Sequence, residues 1–142
     1  VNAASERPLS RLARAYEGEV SSLRAARADI SEWLRTRGGD DDTVERAVLI
    51  ASELATNAVH ATPGMPYSLL LRSIDADHVE LTISNPRSSA DLPPRTSWAP
   101  QDLLKPHGRG LAIVAALSED VSVHVDDDRV LVTARIRTTP LR

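Results

Sequence analysis

The sequence contains no cysteine and no phenylalanine, and only two tryptophans and two tyrosines. Without cysteine there are no disulfides and no zinc–thiolate sites, and the four scattered histidines show no metal-ligand spacing. A hard cation carried in with a ligand is not excluded by this. The aromatic shortage leaves the core to aliphatic residues and argues against a single-strand nucleic-acid binder, which needs stacking platforms. A net charge of −3 gives no whole-molecule attraction to nucleic acid or to an anionic membrane. No apolar run approaches the length of a membrane span and no hydrophobic signal region opens the chain, so a cytoplasmic location is expected. The chain starts at Val1 and not at Met, which leaves a longer parent open. Its 142 residues suit one domain with a real core, with residues 1–8 expected to be a loose end.

Leu9 to Tyr16 reads as a short edge strand, although its sequence also suits a helix. From Glu19 to about Arg37 the spacing of Val20, Leu23, Ala26, Ile30, Trp33 and Leu34 predicts a helix, ended by Gly38-Gly39. Asp40 to Thr43 supply cap residues for a second helix, from about Thr43 to Thr62. Its apolar stripe is Val44, Ala47, Val48, Ala51, Leu54, Ala55 and Ala58. On another face Glu53, Asn57 and His60 align, with Arg46 and Ile50 near the same line.

Pro63-Gly64 stop that helix, and two strands follow, Tyr67 to Ile74 and His78 to Ser84. Strict alternation turns Val79, Leu81 and Ile83 inward. By parity Asn85 also points to the side where the helices pack, and a polar group there needs a partner. Pro86 to His107 shows no periodicity and holds four further prolines, the pattern of either a mobile lid or a disordered segment. Next come Gly108-Arg109-Gly110, a helix from Leu111 to about Ser118, and a hairpin of Val121–Val125 with Val130–Arg137. Helices and hairpins are segregated, which predicts an α+β fold with about three helices on one face of a mainly antiparallel sheet.

Three islands carry chemistry. A helix that opens at Gly108-Arg109-Gly110-Leu111 presents unpaired N–H groups and partial positive charge suited to phosphate, although a Gly-x-Gly turn is by itself common. Glu53 has the chemistry of a general base, and Asn57, one turn on, can offer an amide oxygen to a metal held mainly by phosphates. Asn85 can recognise a ligand by hydrogen bonding. His60 either borders the same pocket or is simply a polar residue at a helix end, and Trp98 is either a partner contact or a packing anchor for the long loop.

The order E-L-x-x-N-A-x-x-H (Glu53, Leu54, Asn57, Ala58, His60), a strand ending in a polar residue, a Pro-rich lid and G-x-G-L (Gly108, Gly110, Leu111) resembles the ATP-binding domain shared by gyrase, the ninety-kilodalton heat-shock chaperone, histidine kinases and MutL. Within that GHKL superfamily the chain is most similar to the anti-sigma-factor serine kinases of bacterial partner switching, over roughly residues 9 to 137. The resemblance implies a two-layer α/β sandwich, the Bergerat fold, in a single ATPase-like domain over residues 1–142. It also implies that Asn57 coordinates Mg²⁺, that Glu53 is the base or orders the attacking group, and that Gly108, Arg109, Gly110 and Leu111 cradle the phosphates of ATP. Partners would be a sigma factor, its antagonist protein, or both, and a homodimer is further implied. The adenine-reading position is usually Asp in D-x-G-x-G, but here it is Asn85-Pro86-Arg87-Ser88-Ser89. An amide oxygen still accepts a hydrogen bond, without the charge assistance that makes such bonds about twice as strong, so weaker ATP binding is expected. Two alternatives follow: a partner-switch binding module with weak or lost nucleotide binding, and the catalytic domain of a histidine kinase. The latter would need a phosphoacceptor-histidine helix pair, which does not precede the domain in this chain.

Overall fold

The computed structural model describes residues 11–87 and 109–142. Its elements are β1 (Arg11–Tyr16), a 3₁₀ turn (Val20–Ser22), α1 (Leu23–Thr36), α2 (Asp41–Ala61), β2 (Tyr67–Asp75), β3 (His78–Pro86), α3 (Arg109–Leu117), β4 (Asp120–Val125) and β5 (Arg129–Arg137). The first segment is therefore the strand and not the helix. It pairs antiparallel with β2 in register Arg11 to Arg72 through Tyr16 to Tyr67, and the two tyrosine rings stack at 5.5 Å. The phenol of Tyr16 donates to Asp29 Oδ2 on α1 at 2.6 Å, which ties the edge strand to the helix layer.

Helix ends follow local chemistry. Gly38 takes φ +89°, and Gly39 N–H reaches back to Leu34 O at 2.9 Å while Gly38 N–H bonds Arg35 O at 3.0 Å. This pairing closes α1 through a left-handed residue that glycine adopts without steric cost. Asp40 then caps α2, its Oδ1 accepting from Thr43 N–H at 2.9 Å, with Asp41 and Asp42 in the first turn where the helix dipole favours anions.

The sheet order is β1-β2-β3-β5-β4, antiparallel throughout, with helices packed on one face in a two-layer α+β sandwich. Inward residues Leu69, Leu71, Val79, Leu81, Ile83, Val121, Val132, Ala134 and Ile136 meet Ile30, Leu34, Ala47, Leu54 and Val114 from the helices. Helix α2 lies centrally, against α1, α3 and the sheet. That position corrects one expectation. Ile50, assigned to the line of Glu53 and Asn57, is completely buried, because neighbours flank α2 on both sides and leave only a narrow polar strip. The strand predicted to stop at Ser84 runs to Pro86, because β5 pairs along its whole length, from His78 with Arg137 to Pro86 with Arg129. No helix among the described residues is long and apolar enough to cross a membrane. Most of the expected lid, including Trp98, lies outside the described residues.

Candidate functional site

The polar strip of α2 faces α3. Glu53 and Asn57 are half-buried, one turn apart, while the apolar side of the same helix is sealed into the core by Leu54, Ala55 and Ala58. At Gly110, in the first turn of α3, a Cβ would lie only 2.6 Å from Glu53 Oε1. The close approach of the carboxylate thus depends on glycine there, and the carboxylate meets the positive end of the α3 dipole. The first N–H groups of α3 have no intrahelical acceptor, so this corner presents donors to an anion. Leu111 is buried in the core, so its side chain anchors the helix and only its backbone is offered to the site. Arg109 opens α3, but its side chain lies outside the described residues, as does Gly108.

Asn57 Nδ2 is buried without a hydrogen-bond partner among the described residues. A buried amide atom left unpaired costs about 1–3 kcal/mol. Three other buried side-chain atoms share that condition, on Trp33, Ser118 and Thr138, but only Asn57 lies one turn from Glu53. A ligand that met the Asn57 amide would remove the cost. His60 is exposed in the last turn of α2, beyond this wall.

Asn85 projects inward as its parity required and is only 7% exposed. Its Nδ2 donates to Pro86 O at 3.0 Å, so one of its polar atoms is engaged locally. Sequence reasoning missed the side chains that support this strand end. Arg129, across the sheet on β5, donates from Nη2 to Ser84 Oγ at 3.0 Å, and Asp126 Oδ1 accepts from the N–H groups of Asp128 and Arg129 to form the β4–β5 turn. The predicted hairpin of Val121–Val125 with Val130–Arg137 had pointed to that turn, but nothing in the sequence showed that β5 would lie beside β3.

Glu53, Asn57 and the first turn of α3 at Gly110 form an arrangement that can hold a phosphate against helix N–H groups and place a carboxylate and an amide beside it. The chain matches the model of the histidine kinase-like ATPase domain over residues 16–136. Its fold is similar to that in a crystal structure of the RsbU and RsbW domains of Rv1364c from Mycobacterium tuberculosis, with a TM-score of 0.64 and 19% identity. The match covers 93% of this chain and 34% of that one, so the chain spans about a third of that structure's length. Among curated proteins there is no match.

Proposed function

The chain belongs to the histidine kinase-like ATPase domain family, and on that premise we propose that it is an ATP-binding regulatory protein that phosphorylates a serine or threonine on a small anti-sigma-factor antagonist. The observation that carries the nucleotide part is the unpaired Asn57 amide one turn from Glu53, with Gly110 packed against that carboxylate. These residues fit Mg-ATP. Asn57 would hold the metal through its amide oxygen, not through the unpaired Nδ2 donor, and the backbone of Gly108 to Leu111 would hold the phosphates. When bound, Mg-ATP supplies the phosphoryl group to be transferred. Glu53 accepts the proton of the attacking hydroxyl, and the α3 N–H groups stabilise charge that develops on the phosphoryl oxygens. Asn85 presents a neutral amide to the base and binds it less strongly than a carboxylate would. The protein partners in this reading are a sigma factor and its antagonist, with a homodimer as the working unit.

A second reading is favoured by Asn85, whose amide is partly engaged with Pro86 O. It is a partner-switch binding module that keeps the fold but not useful catalysis. Calorimetric titration with Mg-ATP separates the two. Heat of binding and thermal stabilisation at millimolar nucleotide are expected; their absence would sink the kinase reading and leave the module. If ATP binds, incubation with a candidate antagonist and labelled ATP tests the transfer itself.

A further inference from the structure

His78, the first residue of β3, stands at the opposite end of that strand from Asn85 and is only 13% exposed. Its Nδ1 lies 2.9 Å from Asp75 Oδ1 and 3.2 Å from Asp77 Oδ1, while its Nε2 lies 3.0 Å from Glu119 Oε1. Asp75 ends β2 and Asp77 lies in the β2–β3 turn. Glu119 belongs to the connection that leaves α3 for β4, so the ring spans two parts of the fold. Arg137, the register partner of His78 on β5, completes the group, donating from Nε to Glu119 Oε2 at 2.8 Å and approaching Asp77 Oδ2 at 3.9 Å.

A carboxylate only accepts hydrogen bonds, and a neutral imidazole has one donor nitrogen and one acceptor. Between Asp75 and Glu119 a neutral ring would set a bare lone pair against a carboxylate. Only the imidazolium donates on both sides. Asp75, Asp77 and Glu119 against Arg137 leave an excess of negative charge, and protonation of His78 reduces it. The carboxylate oxygens are already met by the ring, the Asp77 N–H and Arg137, so the cluster works as a charge clamp.

We propose that His78 is a proton-operated clamp that, when charged, fastens the exit of α3 to the β2–β3 turn and, when neutral, gives up one of those two attachments. The other end of α3 carries Gly110 against Glu53, so the clamp holds the helix that forms one wall of the candidate site. The hydrogen bond to Asp75 is the main cause that holds the His78 ring above its ordinary range, with the charges of Asp75, Glu119 and Asp77 acting in the same direction. The same bond holds Asp75 down to about 2, and Arg137 chiefly holds Glu119 below the usual carboxylate range. A raised folded-state value means that the histidine contribution is fully present below the unfolded value of about 6.5 and is lost as pH rises through the folded one. The depressed carboxylates act in the opposite sense: their contribution is present above about pH 4 and is lost as pH falls through their folded values. The clamp is therefore complete between about pH 4 and about pH 6.5 and opens as pH rises through the folded value of His78.

The test follows the ring protons of the four histidines by NMR across pH in the whole chain, with the His78 signal identified by its loss in His78→Gln. The His78 midpoint is expected above about 6.5, and lower in Glu119→Gln than in the parent. The melting temperature of the parent should fall between about pH 6 and about pH 9, a fall that His78→Gln removes. A His78 midpoint at or below the ordinary histidine value, or an unchanged temperature profile in His78→Gln, overturns the proposal. If that variant does not fold, the parent titration decides, with the ring assigned through the backbone. None of these readouts depends on nucleotide.

Discussion

Around His78, carboxylate oxygens meet two ring nitrogens, an arginine and a backbone N–H, whereas on α2 the Asn57 amide is buried without a partner and Glu53 lies against the start of α3. Both clusters are polar and partly buried. They differ in where their bonding capacity goes. Around His78 it is spent on fastening chain to chain, so substitutions there should be read out in stability and its pH dependence. Along Glu53 and Asn57 some is left unspent, at the buried Asn57 Nδ2 donor.

The strongest way to break this contrast is Glu53→Ala, which should lower phosphotransfer by about 10²–10⁴-fold while nucleotide binding and melting temperature stay close to the parent. Transfer at the parental rate would refute the proposed role of Glu53 as base. Gly110→Ala comes next. The added Cβ, 2.6 Å from Glu53 Oε1, must displace that carboxylate, so single-turnover transfer should slow by at least about tenfold, or ~1.4 kcal/mol in the barrier. Asn57→Leu sharpens the comparison from the other side. Replacing an unpaired buried amide with an apolar side chain should stabilise the ligand-free protein by about 1 kcal/mol and weaken Mg-dependent nucleotide binding by about tenfold or more. A variant that lost stability and kept its affinity would show that the amide serves the fold. The smallest effect is expected from Arg46→Ala on α2, whose 2.9 Å pair with the exposed Asp42 is worth about 0.3–0.5 kcal/mol in chemical denaturation.

Much of the local structure was legible because it is set by near neighbours. Gly38-Gly39 ended α1, Asp40 capped α2, and parity along β3 turned Asn85 inward, as steric freedom, N-capping and the period of a strand require. The face shared by Glu53 and Asn57 followed from helical spacing alone. Ile50 was misplaced because spacing orders residues around an axis but does not say how many neighbours will surround it. With α1, α3 and the sheet all against α2, a position that looked peripheral became core. The His78 cluster went unread for a related reason: Asp75 and Asp77 are local, but Glu119 and Arg137 lie 41 and 59 residues further on.

By itself, then, the sequence determined most of the strands and helices, the glycine end of α1 and the aspartate cap of α2, the α+β class and the residue types of the candidate phosphate wall, because these depend on bonds and side-chain periods within a few residues. The tertiary structure alone decided that β5 enters the sheet beside β3 and extends that strand past Asn85, that Gly110 comes to rest on Glu53, and that His78 meets Glu119. Each of these is a contact between segments far apart in the chain, selected by the burial of one shared aliphatic core, and no local pattern encodes which distant partner that burial will bring.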